Sequence, residues 1–98
     1  MKVVWSTTAR QDLVHIGAYI NRFHPSAARS VAHRILEAVA GISRHPHLGT
    51  GTSLLDVRRL VVSGAPYVIY YKLSADRIEI LEVFDGRRAV PRTMATDE

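Results

Sequence analysis

Apolar residues in the first half of the chain recur at spacings of three and four. In the second half they alternate or run together, so helices are expected first and strands afterwards. Ala9, Leu13, Ile16, Ile20 and Phe23 make one continuous helical stripe, with Arg10, Gln11, Asn21 and Arg22 on the opposite side. Ser6, Thr7 and Thr8 precede it and offer hydroxyl oxygens to the free N–H groups of a first turn. His24-Pro25-Ser26 breaks this helix, because the residue before proline resists the α region while proline suits a first turn. A second helix from about Pro25 to Arg44 carries Ala28, Val31, Ile35, Val39 and Ile42 as its stripe. Ala27, Ala32, Ala38 and Ala40 surround that stripe and let the two helices approach closely as an antiparallel hairpin. Before the helices, Lys2 to Trp5 alternates and reads as a short strand. Between helices and sheet, residues 45–56 are rich in Pro, Gly and Thr and have neither period, which predicts a long loop.

From Val57 onward come three strand-like runs, VRRLVV, PYVIYYKL and RIEILEVFD, separated by the short turns Ser63-Gly64 and Ser74-Ala75-Asp76. Such spacing predicts an antiparallel meander. The fold class is therefore α+β: an N-terminal helical hairpin packed on a small antiparallel sheet, in one domain spanning residues 1–98. Alternation places Ile69, Tyr71 and Leu73 on one face of the middle strand and Val68, Tyr70 and Lys72 on the other. Arg58, Leu60 and Val62 likewise oppose Val57, Arg59 and Val61. Two helices cover one face only, so the face with Val68 and Tyr70 is expected to be open and to serve as a binding surface. Past Phe84, Asp85-Gly86 marks a turn, Arg87, Arg88 and Arg92 concentrate charge, and residues from about 89 to 98 are expected to form a loose tail.

Charge narrows the possible partners. The net charge is +4, and eleven of the thirteen basic residues are arginine, a bias toward planar, bidentate contacts with phosphates or carboxylates. Nucleic acid or an acidic protein surface both fit. Cysteine is absent, which removes disulfides, thiolate metal sites and thiol nucleophiles. No apolar run approaches the ~20 residues needed to span a bilayer, and the polar N-terminus does not read as a signal peptide, so no membrane partner and a cytoplasmic location are expected. His15, His24, His33, His45 and His47 lack metal-ligand spacing, and no metal or cofactor is expected. The sequence Gly49-Thr50-Gly51-Thr52-Ser53 lacks the ending of a phosphate-binding loop. Glu79 and Glu82, three apart on one strand, are expected on opposite faces and so are not a catalytic pair. What remains is a set of arginines with Tyr70 and Lys72, suited to phosphates, bases or a protein interface.

Certain ordered segments carry a resemblance: W-S-T-T-A-x-x-D-L-x-x-I-x-x-Y-I, P-x-A-A, H-P-H-L-G, V-R-R-L-V-V, P-Y-V-I-Y-Y and I-x-I-L-x-V-F-D-G-R-R. Together, from about Val3 to Arg88, they resemble the RelE/ParE superfamily of toxins from type II toxin–antitoxin pairs. The resemblance implies two helices on an antiparallel sheet, a concave sheet face as working surface, and a small antitoxin that wraps the toxin. RelE-like members cut messenger RNA in the ribosome without metal, and ParE-like members inhibit DNA gyrase. RNA-cleaving relatives commonly carry an arginine where this chain has Val68, and often a C-terminal tyrosine or histidine, whereas no Tyr or His follows Tyr71 here. The Arg87-Arg88 ending looks ParE-like, although many relatives have histidine where Asp85 stands. The resemblance thus implies a non-enzymatic gyrase inhibitor neutralised by a ParD-like antitoxin, with operator DNA reached only through the antitoxin. Arg87, Arg88 and Arg92 are the expected target contacts, and Arg58, Val68, Tyr70 and Lys72 the expected antitoxin contacts. The alternative is a ribosome-dependent messenger RNA endoribonuclease using Arg58, Arg59, Lys72 and Arg87.

Overall fold

A computed structural model describes residues 1–87 and 90–95. Strand β1 (Lys2–Trp5) leads into helices α1 (Thr7–Asn21) and α2 (Pro25–Arg44), followed by β2 (Thr50–Gly51), β3 (Val57–Val61), β4 (Tyr67–Leu73) and β5 (Arg77–Asp85). Among the described residues a 3-10 turn, Arg92–Met94, follows β5. The sheet order is β1-β5-β4-β3-β2. The expected meander β3-β4-β5 is its antiparallel centre. β1 joins the outer edge of β5 in parallel, and β2, a two-residue strand within the stretch read as loop, pairs antiparallel with β3.

Both helices lie on one face. Ile35, Val39 and Ile42 of α2 and Ala9 of α1 are packed with Ile69, Tyr71, Ile78, Ile80 and Val83 of the sheet. These are the residues the two periodicities aim at one another, and their removal from water is the main stabilising term. Phe23 departs from the expected stripe and is 60% exposed. It lies beyond the end of α1, where helical phase no longer controls its direction, and it packs edge-on against Tyr19 with ring centroids 5.6 Å apart. Tyr71, fully buried, anchors the long loop: its hydroxyl donates to Pro46 O at 2.7 Å and accepts from Gly49 N at 2.9 Å. Glycine is required at 49 because a Cβ there would stand 2.8 Å from Arg59 O and 2.9 Å from the Tyr71 ring.

Two features of β5 position the site described below. Its pairing with β4 shifts between Tyr70↔Glu82 and Tyr71↔Ile80, leaving Leu81 as the extra residue of a β-bulge. Cross-strand partners share a face, so Glu79, opposite Lys72, and Glu82, opposite Tyr70, lie on the same side of the sheet. The expectation from strict alternation is corrected here, since one inserted residue restores the parity that a three-residue spacing breaks. In addition, β1 pairs with β5 only as far as Ile80, and α1 takes over the exposed edge beyond it. Ser6 N donates to Ile80 O at 2.9 Å, and Ser6 Oγ donates to Leu81 O at 3.0 Å while accepting from Ala9 N at 3.0 Å. One serine therefore caps α1 and fixes its start to the bulge.

Candidate functional site: the C-terminal edge of the sheet

The outer face is covered around Val68 and Tyr70. Val68 and Tyr70 are 5% and 6% exposed, and together with Val57 they form a second apolar cluster against Leu81, Phe84 and Met94. Met94 belongs to the segment expected to be loose. Residues 92–94, within the described part of that segment (90–95), instead fold back against β5 and cover part of the outer face, while Val61 and Lys72 on the same face stay exposed. The reason the segment stays is polar as much as apolar. The Glu82 carboxylate, 1% exposed, accepts from Arg92 N at 3.1 Å, Arg92 Nε at 3.2 Å, Thr93 N at 2.8 Å and the Thr93 hydroxyl at 2.6 Å. Burial pushes this carboxyl up, but the bonds from Thr93 and Arg92 outweigh it and leave it below the ordinary glutamate value.

Arg92 also reaches around the edge of β5. Its Nη2 donates to Asp12 Oδ1 of α1 at 2.6 Å, and Asp12 Oδ2 accepts from Val83 N at 3.0 Å. Asp12, 8% exposed, thus satisfies a strand N–H that β1 is too short to pair, and one guanidinium bridges two buried carboxylates. Neither carboxylate was among the expected site residues. Asp12 did carry a signal: it interrupts the apolar face of α1, between Ala9 and Leu13, where an unpaired charge would be costly.

Arg87 sits at the other side of this edge. Its Nε and Nη2 donate to Asp85 Oδ1 at 3.0 Å and Oδ2 at 2.9 Å, and its backbone N donates to Oδ1 at 3.0 Å. Asp85 both caps the turn and grips the arginine, raising the Arg87 guanidinium above its ordinary range through that hydrogen bond. Asp12, His15, Tyr19, Tyr67, Asp85 and Arg87 line an open groove of about 380 Å³ between α1 and the end of β5. Of the expected target contacts, Arg87 borders this groove, Arg92 is engaged by Asp12 and Glu82, and Arg88 lies outside the described residues.

The expected antitoxin contacts do not form one surface. Lys72 is exposed on the outer face, opposite Glu79, whereas Val68 and Tyr70 on that face are covered. Arg58 pairs with Tyr71 and so belongs to the helix side, where its Nη1 donates to Gly49 O at 2.6 Å and His47 O at 3.4 Å. Arg59 pairs with Tyr70 on the outer face. The four residues of the nuclease alternative are therefore divided between the two faces and two ends of the sheet. Among the described residues no group of three or more His, Asp or Glu is disposed to hold a metal ion. No helix among them is long and apolar enough to cross a membrane.

Comparison with known proteins agrees with this architecture. The solved chromosomal ParDE toxin–antitoxin system of P. aeruginosa superposes with a TM-score of 0.75 at 23% identity, covering 85% of this chain and 92% of that one, which shows a shared fold. Y4kP of Sinorhizobium fredii, named as a candidate toxin, is 34% identical over 93 residues, covering 95% of this chain and 96% of the relative. Toxin RelE2 of Caulobacter vibrioides is 34% identical over 87 residues, or 89% of this chain and 97% of that protein. The family model for the ParE toxin of the type II toxin–antitoxin system parDE matches residues 3–90, a span that includes Asp12, the bulged β5 and Arg87. With helices, mixed sheet and sequence in agreement over nearly its whole length, this chain belongs to the ParE toxin family of type II toxin–antitoxin systems.

Proposed function

We propose that this toxin acts by binding DNA gyrase rather than by cleaving RNA, and that a ParD-like antitoxin holds it silent in the cytoplasm, with operator DNA reached only through that antitoxin. The observation that carries the reading is the dispersal of the basic residues. Metal-independent RNA cleavage needs groups converging on one phosphate and one 2′-hydroxyl. Here Arg58 is turned to loop carbonyls on the helix side, Arg87 is gripped by Asp85, and on the outer face Val57, Val68 and Tyr70 are packed against Leu81, Phe84 and Met94. No Tyr or His follows Tyr71 to act as acid or base. A toxin that works by occupancy needs none of this convergence, and Arg87, on the rim of the groove, with Arg88 next in sequence, is suited to an interface.

The antitoxin reading changes its seat. Val68 and Tyr70 are covered, while an apolar hollow is exposed beside β1, lined by Val3, Trp5, Leu13, Val14 and Leu36, with Arg10 at its side. An amphipathic segment with an acidic residue near Arg10 fits that surface. The test is a gyrase supercoiling and DNA-cleavage assay with antitoxin-free protein, beside a ribosome-dependent message-cleavage assay. Lost supercoiling or accumulated DNA cleavage with intact message, relieved by Arg87→Ala with Arg88→Ala, is the expected result. Cut message with unaffected gyrase overturns it.

A further inference from the structure

We propose that residues 92–94 are a strap that can release the outer face of the sheet, and that Arg92 is its latch. The proposal goes beyond the choice of target and stands on the construction of this face alone. Glu82 is buried within an apolar surface, yet the four hydrogen bonds to its carboxylate among the described residues all come from Arg92 and Thr93. The face is thus built to be closed by this segment, whose departure takes all four bonds from Glu82 and leaves water to replace them. The strap is short, three residues in one turn, and its apolar hold rests on Met94. Its second hold is the Arg92 guanidinium, which joins Glu82 to Asp12 although its own side chain is 63% exposed. A latch so open to water can be competed for by solvent or by another carboxylate, whereas the core between helices and sheet cannot. Release takes Met94 off the cluster of Val57, Val68 and Tyr70 with Leu81 and Phe84, turning a covered patch into a sticky one. Arg92 is accordingly a positioning residue: it controls whether the face is presented.

The chain contains no cysteine, so single cysteines report directly on opening. Val68→Cys lies in the outer-face cluster against which Met94 packs, and Val39→Cys lies in the helix-side core. Thiol labelling is followed in each background under native conditions. Arg92→Ala is expected to raise the labelling rate at position 68 by about tenfold or more, a factor equal to about 1.4 kcal/mol of closure, and to leave position 39 unchanged. Arg92→Lys is expected to fall between, because one ammonium does not reproduce a two-carboxylate bridge. Arg29→Ala, on the exposed side of α2, is expected to change neither rate. If Val68→Cys does not fold, Met94→Cys on the strap itself carries the same comparison. An unchanged rate at position 68, or an equal rise at positions 68 and 39, overturns the proposal, the latter because it marks global loosening.

Discussion

Glu82→Gln changes no volume and removes one charge, and its effect can be worked out atom by atom. Glutamine Oε1 can keep the Thr93 N–H and hydroxyl bonds. The amide NH₂ that replaces Oε2 then faces Arg92 N–H and Nε–H, setting donors against donors where the wild-type chain has two charge-assisted bonds. A buried donor left unsatisfied costs about 1–3 kcal/mol, and removing one partner of a buried pair about 3–5. Because the Arg92 side chain is mostly in water, its guanidinium can turn outward, and we expect a loss at the lower end, about 2–3 kcal/mol. For a domain of this size such a loss lowers Tm by roughly 10–20 °C. Urea unfolding followed by far-UV circular dichroism at pH 7 measures it directly. The pH dependence supplies a second reading. Since the folded-state Glu82 carboxyl lies below its unfolded value of about 4.5, its contribution is complete above that value and is lost as pH falls through the folded value. The gap between wild type and Glu82→Gln is therefore expected to narrow on acidification below about 4.5. A loss under about 0.5 kcal/mol at pH 7, or a gap that does not narrow in acid, refutes the account of Glu82 as the anchor of the C-terminal segment.

Two further substitutions test the scaffold. Tyr71→Phe strands Gly49 N–H and Pro46 C=O, and is expected to destabilise by about 1–3 kcal/mol with faster amide exchange at Gly49; unchanged exchange there would show that the hydroxyl does not hold the loop. Ser6→Ala removes the α1 cap and a bond to the bulge at once, and is expected to cost about 1–2 kcal/mol with faster exchange at Ala9, read by hydrogen exchange and thermal unfolding.

The functional reading depends on where side chains meet, and the sequence conveys this unevenly. The helix boundaries at Pro25 and Arg44, the Ser6 cap, the strand β1 and the meander all rest on short-range rules that a one-dimensional pattern records. Asp12 was visible as a carboxylate on an apolar face, but nothing in α1 indicates that its partners are Val83 N–H and Arg92, the latter eighty residues away. The bulge at Leu81 was hidden because the run RIEILEVFD reads equally well with or without it, and the register is chosen by what β4 and Ser6 demand. Parity on that strand, and hence the side on which Glu82 lies, followed from that choice.

The C-terminal segment marks the division most clearly. After the turn at Asp85-Gly86 and the run of arginines, local propensity predicts a loose tail from about residue 89. Yet Thr93 and Met94 find a buried carboxylate and an apolar cluster waiting for them. By itself the sequence determined the two helices, β1 and the β3-β4-β5 meander, their order and the family they belong to, because periodicity, caps and turns are properties of neighbouring residues. Only the tertiary structure decided which faces are open and which arginines are engaged. A side chain's exposure and the partner of its charge depend on what the rest of the chain brings to it, and here the decisive partners come from opposite ends of the molecule.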